Sequence, residues 1–521
     1  MQRIAPWVIF GVFLIYLAAA AFPPDHTPDG FSIGEFARLP VVMNGRVQPI
    51  DSVARAGLFK IRGTLTIPAG GTRPWQIWTL ARPLEASEWL LELLTKPDAA
   101  DARGIFPIQA PALLAALHLG AAGERSPGYY TFAELRSSLE LLGQQVGRIK
   151  DIDAARRAAW EAECLTLRDR IVIYQRFKNS LQPNSSLQQE ARGNPIAYDF
   201  AAQIAQFQRD LDAGIAAANA AKKGKPQDSD TARAQRMDAF ARPFLAVSRA
   251  ALFSIVPLAA QARARDRWQN MGDSVAVSVR SGQLSPAVPM FAGMSSAFAR
   301  RHANAFNDQV AQYRQWLTER KLVPELNRAR DELFFTTFQP FARAVTIYLV
   351  AVLLLCGARM SGLRVLSRTA VNLIVLAGLL HTAGLLLVMM LEGRLPITNV
   401  YERILVIGWA AVLVAGAAEI RWRNGVGATA AAVAGLVALA VAQGLAPIGP
   451  AELIRLGQQT GLWLAVAATA AVTAYCVVRA SVDRVDPTTP RPRRQHREDA
   501  LADFAPHDEA IRLGRMGFEK S

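Results

Sequence analysis

Histidine and cysteine are scarce in this sequence, with 6 and 3 copies among 521 residues. Cys164, Cys356 and Cys476 form no CxxC pair, and two of them fall in strongly apolar stretches, so neither a disulfide framework nor thiol–disulfide chemistry is expected of the chain. Acidic residues are also in deficit: 43 Asp and Glu face 58 Lys and Arg, a formal net charge of +15. From Pro23 to about Pro340 no run is apolar enough to cross a bilayer. A single soluble core does not combine this polar stretch with a chain that is 51% hydrophobic, whereas a membrane protein with a polar extramembrane domain does.

The apolar residues are segregated accordingly. A first run covers Ile4 to Phe22, long for a signal-peptide core, which favours an uncleaved anchor over a cleaved signal. Five more candidates follow near Ala342–Ala358, Thr369–Leu391, Ile404–Ala418, Val426–Leu445 and Thr460–Val478. Positive charge in short loops marks the cytoplasmic side. Arg3, the group Arg359, Arg364 and Arg368, the pair Arg421 and Arg423, and the run Arg479 to Arg497 all fall on one side of a six-span arrangement. Both termini are then cytoplasmic, residues 23–340 lie outside, and the basic balance needs no nucleic-acid partner. The expected fold class is mainly α: a polytopic helical membrane protein of about six transmembrane helices with a large, mostly helical extracytoplasmic domain after the first. The expected divisions are an anchor at 1–22, the external domain at 23–340, a five-helix membrane domain at 341–479 and a charged cytoplasmic tail at 480–521.

Within the external domain, LPVVMNGRVQPIDSVARAGLFKIRG (Leu39–Gly63) places β-branched runs around Asn44-Gly45, a hairpin signal, with Asp51 or Ser52 expected to cap a helix from about Val53. ASEWLLELLTKPDAADARGIFPI (Ala86–Ile108) reads as an amphipathic helix, a polar loop and an extended piece. Thr131 to Phe207 is mainly helical, with Leu135, Leu139, Leu142 and Val146 on one face. Residues 216–234 read as a flexible linker or insertion, helices resume from Ala239, and Ser295–Phe338 leads toward the second span. His26, His118 and His302 are far apart and lie in no HExxH, GxSxG or phosphate-loop context, so docking fits this domain better than catalysis.

In the membrane part, His381 stands in LLHTAGLLLVMMLEGRLPITNVYE, about eleven residues from Glu392 and so roughly 15 Å into its span. An ionisable side chain at that depth faces protein or a water-filled cavity and needs a partner. Two roles suit it: an interhelical hydrogen bond, or an axial haem ligand in an apolar cleft. Beyond it, Pro396 ends the preceding structure, Asn399 caps the next span, and Glu402 completes a capping-box spacing. Arg394 has Glu392 and Glu402 within reach, or the lipid headgroups. Gly427, Ala431 and Gly435 form a small-residue stripe, as do Ala467 and Ala471, while RPRRQHRED and the tail histidines His496 and His507 carry no ligand signal.

The order of histidine in a span, then GR, P and TNxYE opening the next span, resembles the cytochrome c assembly family, the haem-handling membrane protein of the system II cytochrome c synthetase. LPVVMNGRVQPIDSVAR and SEWLLELL also resemble the long external domain of some members. The resemblance implies haem as cofactor, with His381 as the transmembrane haem and metal ligand and Arg394, Pro396, Asn399, Tyr401 and Glu402 as the cofactor-binding segment that follows. It also implies an inner-membrane location, a role in haem delivery and attachment, and apocytochrome c as a partner. Two departures matter. The family's WGxYWxWD loop is absent, and in GLWLAVAATAAVTAYCVV Trp463, Leu464 and Tyr475 match a family stretch whose histidine position is Ala467 here. The chain is then at most one subunit of a haem-lyase complex, completed by another membrane protein that carries the tryptophan-rich loop. A scaffold or assembly factor binding envelope proteins, with His381 only linking helices, is the alternative. A transporter is a weaker option, since the spans hold no second deep polar residue to complete a relay.

Overall fold

A computed structural model describes residues 5–21, 28–68, 83–120, 128–183, 199–221, 229–258 and 268–445. The chain divides into two compact units, Tyr16–Gln339 and Met1–Ile15 with Pro340–Ser521. The first apolar run forms helix α1 (Ala5–Ala21).

Unit Tyr16–Gln339 is helical with short antiparallel strand pairs. The expected hairpin is present: β1 (Pro40–Met43) pairs with β2 (Arg46–Pro49) across Asn44 and Gly45, whose φ values of 54° and 75° are those a primed two-residue turn demands. The helix that follows, α2 (Ile50–Arg62), begins earlier than the sequence implies and without a side-chain cap. Asp51 cannot cap it, because its carboxylate accepts from Arg55 Nε (2.6 Å) and Ser87 Oγ (2.6 Å).

SEWLLELL lies in α3 (Ala86–Thr95), and here the expectation of an amphipathic helix is corrected: every residue except Glu88 is buried. The one deep charge, Glu92, is neutralised by a two-pronged pair from Arg103 (3.0 and 2.8 Å). The expected polar loop after it is instead a short helix, α4 (Pro97–Asp101), leading into β3 (Gly104–Pro107), which pairs with β4 (Tyr129–Thr131). Its polarity serves the interior. Asp101 is 2% exposed, and its Oδ2 receives Lys178 Nζ (2.7 Å) and Arg136 Nη2 (2.9 Å) while Oδ1 receives the Tyr174 hydroxyl (2.8 Å). Burial, and then the adjacent Asp101 charge, pushes the Tyr174 phenol well above its usual range, so it remains a donor.

The expected apolar face runs from Leu135, at the end of a short helix Phe132–Leu135, into α5 (Leu139–Ile149), with Leu135 and Leu142 buried and Leu139 and Val146 packed beside them, and α6 (Ala159–Lys178) follows. The region read as a linker is helical at both described edges. It falls at the end of α7 (Phe200–Ala221) and the start of α8 (Ser229–Ala241), with 222–228 outside the described residues. Alanine, a strong helix former, outweighs the polar composition there. Further helices α9 (Ala287–Ala299), α10 (Ala303–Glu319) and α11 (Val323–Phe338) complete the unit, and Gln339, at φ 47°, ends α11 in a left-handed cap.

In the other unit the apolar runs become α12 (Pro340–Ser361), α13 (Arg364–Glu392), α14 (Val400–Trp422) and α15 (Val426–Leu445). Four helical stretches are long and apolar enough to cross a membrane: Val323–Ser361, Arg364–Glu392, Val400–Trp422 and Val426–Gln443. The helix of the first expected span is shorter, and the expected sixth span, the alanine stripe of Ala467 and Ala471 and the tail lie outside the described residues. Small residues set the spacing. A Cβ on Gly435 would lie 2.6 Å from the Tyr348 ring of α12, and one on Gly427 would lie 2.6 Å from the Ala415 carbonyl of α14, so the expected stripe joins α15 to both neighbours.

A close approach in the polar unit gives a test. A Cβ on Gly57 of α2 would lie 2.4 Å from the Phe177 ring of α6. Gly57→Val should overpack this contact and cost about 1–3 kcal/mol. A lowered thermal midpoint of the full chain is expected, and an unchanged one would show that α2 and α6 are not packed this way.

Candidate functional site

The sequence motif occupies the end of α13, the connection 393–399 and the start of α14. Asn399 is the N-cap of α14, its Oδ1 accepting from the Glu402 N–H at 2.7 Å. Glu402 reaches back in turn. Its Oε1 accepts from Asn399 Nδ2 (2.8 Å) and Arg394 Nη2 (3.0 Å), and its Oε2 from Arg394 Nη1 (2.9 Å) and the Thr398 N–H (2.9 Å). Four donors fill the acceptor sites of one carboxylate that is 4% exposed. Arg394 also meets Glu392 at 3.4 Å and bonds to Thr398 Oγ1. Hydrogen bonding to Glu402 raises its guanidinium further above its ordinary range, and the charge remains fixed.

The structure therefore joins Arg394, Asn399 and Glu402 to one another. Pro396 is buried in the connection and Tyr401 is half-buried in the first turn of α14. Hydrogen bonding inside the group accounts for TNVYE as the start of a helix clamped to the connection before it.

His381 lies elsewhere, inside the bundle, with no exposed surface. Its Nε2 is 3.1 Å from the Leu405 carbonyl of α14. A carbonyl only accepts, so Nε2 carries the proton and the ring is the neutral Nε2–H tautomer. Nδ1 is then an unprotonated acceptor, and it is buried with no hydrogen-bond partner among the described residues. A second buried polar atom in the same bundle, Tyr348 Oη, also has none among the described residues. The imidazole packs edge-on against Phe341 of α12 at 5.7 Å between ring centres. Near its Cε1 edge is Gly408 of α14, where a Cβ would fall 3.8 Å from His381 Cε1 and 2.3 Å from Ala438 Cβ of α15.

Contacts invisible to motif reading complete the setting. Thr382, next to His381, accepts from the Trp409 indole N–H at 2.9 Å and donates to the Gly378 carbonyl at 2.8 Å. At the opposite end of α14, Glu419 accepts from the Gly425 and Ala428 N–H groups (3.1 Å each), capping α15 with an anion where the helix dipole favours one. An acidic residue five positions before Asn424-Gly425 could have flagged that cap; nothing local marks Trp409 as the partner of Thr382, because the pairing is tertiary.

Among the described residues, no group of three or more histidine, cysteine, aspartate or glutamate side chains converges as a metal cage. A single imidazole with one nitrogen fixed by a carbonyl and the other open is nonetheless the donor arrangement that protein metal ligands use. In that respect His381 fits an axial haem ligand. His118 is exposed and left-handed (φ 53°) just beyond a short helix, Pro111–Ala116. His302 is exposed in a surface groove of about 310 Å³ with Arg300, Asp308 and Gln309. His26, His496 and His507 lie outside the described residues. Cys164 is a buried free thiol and Cys356 an exposed one.

Neither the protein-family models nor the curated protein sequences yield a match to the chain.

Because Glu402 is buried and bonded on every side, its removal has a definite expected cost. Glu402→Ala removes the acceptor shared by Arg394, Asn399 and the Thr398 N–H, and loss of charged hydrogen bonds of this kind costs about 1.5–3 kcal/mol. A lower thermal midpoint and faster amide exchange at the start of α14 are expected; exchange equal to that of the native chain would mean the clamp does not hold the helix.

Proposed function

We propose that the chain is a membrane component of a cytochrome c haem delivery and attachment system, with His381 as an axial haem ligand. The observation that carries the reading is the imidazole itself: buried among membrane-length helices, oriented by the Leu405 carbonyl, with no partner for Nδ1 among the described residues. The order of residues from His381 through GRLPITNVYE, similar to that of the cytochrome c assembly family, supplies the cofactor's identity. Bound haem would provide a redox-active iron and vinyl groups for thioether formation. The residues of this chain hold it and orient it.

In this reading the protein sits in the inner membrane with six spans, residues 23–340 project outside the cytoplasm, and that domain engages apocytochrome or a partner membrane protein. The tryptophan-rich loop, which these 521 residues do not contain, is supplied from outside them. Arg394, Asn399 and Glu402 act by fixing the start of α14, and Leu405 with it, beneath the external face.

A second reading is favoured by one contact. The His381 Nε2 bond to Leu405 is already a complete interhelical link, which is all that a scaffold binding envelope proteins would require. The absorption spectrum of the chain purified from haem-replete cells separates the two. A Soret band that is lost in His381→Ala is expected; haem-free native protein would overturn the haem reading and leave the scaffold. In His381→Gln a hydrogen bond to Leu405 can persist while iron ligation cannot, so loss of the band with unchanged thermal stability is the expected pairing.

A further inference from the structure

His381 and Thr382 are neighbours on α13, and Leu405 and Trp409 are one turn apart on α14. Two hydrogen bonds cross between these pairs in opposite senses: His381 donates to the Leu405 carbonyl at 3.1 Å, and the Trp409 indole donates to Thr382 at 2.9 Å. The Leu405 carbonyl is also the one that helix geometry assigns to the Trp409 backbone N–H. A single turn of α14 thus meets His381 through its backbone and Thr382 through a side chain.

We propose that Thr382 and Trp409 are positioning residues that hold His381 as the Nε2–H tautomer and so make Nδ1 its liganding nitrogen. Three observations carry this. The Thr382 hydroxyl is locked in direction, since it donates to Gly378 and can only accept from Trp409. The indole therefore fixes the rotation and height of α14 against α13, which sets the distance from the Leu405 carbonyl to Nε2. Phe341 packs edge-on against the ring and Gly408 lies beside its Cε1 edge, so the imidazole is in contact with α12 and α14 as well as bonded to Leu405. Without the indole link the Leu405 carbonyl is held only by the clamp at the start of α14, its distance to Nε2 is less closely set, and the two tautomers, close in energy for a free imidazole, both populate. The choice of iron as the ligand of Nδ1 rests on the haem reading above; the choice of tautomer does not.

The test uses the full chain in detergent, labelled with ¹⁵N-histidine, at a pH where imidazole is neutral, with the His381 signals assigned by their loss in His381→Gln. The native chain is expected to show Nε2 protonated and Nδ1 bare. Thr382→Val, nearly isosteric, and Trp409→Phe, which leaves Thr382 bonded to Gly378, should each convert this pattern to a mixture of tautomers. Thr382→Ser, which keeps the hydroxyl, should restore the native one. A protonated Nδ1 in the native chain, or a native pattern in both Thr382→Val and Trp409→Phe at native helix content, overturns the proposal. Haemin added to the same samples provides the second arm. A Soret band at the native position in Thr382→Ser, and shifted or lost in Thr382→Val and Trp409→Phe, is expected. An unshifted band in those two variants that still disappears in His381→Gln overturns the positioning role and leaves haem ligation standing. A band that survives His381→Gln overturns the haem reading, while the ¹⁵N pattern still decides the tautomer.

Discussion

The hydrogen bond between His381 Nε2 and the Leu405 carbonyl is the interaction on which the arrangement of this bundle turns. An imidazole placed three helical turns inside an apolar segment has to find a partner within the protein, and here nearly every side chain within reach is aliphatic or aromatic. A main-chain carbonyl answers the need without adding a second polar side chain. Using it requires α13 and α14 to approach at a fixed height, with a glycine, Gly408, beside the imidazole where Ala438 leaves α14 no room for a side chain. One nitrogen is thereby satisfied and the other left bare.

The clamp around Glu402 serves the same end from outside. Leu405 lies three residues beyond Glu402, less than one turn of helix, so whatever fixes the first turn of α14 fixes the carbonyl that His381 uses. Arg394 and Asn399 do this by saturating the carboxylate, and Thr398 contributes its backbone. A carboxylate with four donors already bound has no lone pair left for a ligand. The electrostatic strength of the group is spent on positioning.

Much of this was legible in the sequence, and the reasons are local. Asn399 and Glu402 have cap spacing, Asn44-Gly45 has the chemistry of a primed turn, and four of the six apolar runs fall in helices of membrane length; each signal is written locally. The misreadings share one cause. Asp51 has the chemistry of a cap, but α2 starts one residue before it, and Ser87 and Arg55 take its carboxylate. PDAAD has loop composition, but Asp101 is drawn into the core by Lys178, Arg136 and Tyr174, which are distant in sequence. Polar residues near a helix end read as surface until their partners are known, and partners come from tertiary packing. Trp409 was silent for the same reason, because an indole in a membrane helix looks like one more apolar side chain.

The contrast between Glu402 and His381 then separates two kinds of polar residue in one short motif. Both are buried and both sit where a polar side chain is costly. For Glu402 the cost is offset completely inside the chain, so helix start and connection explain its presence without any ligand. For His381 the offset is half complete: a hydrogen bond to Leu405 links two helices, and a glutamine or an asparagine at the same place could supply that link equally well. What those residues lack is an imidazole nitrogen held bare by the protonation of its twin. The structural role accounts for Nε2, and the proposed ligand role is what gives a use to Nδ1.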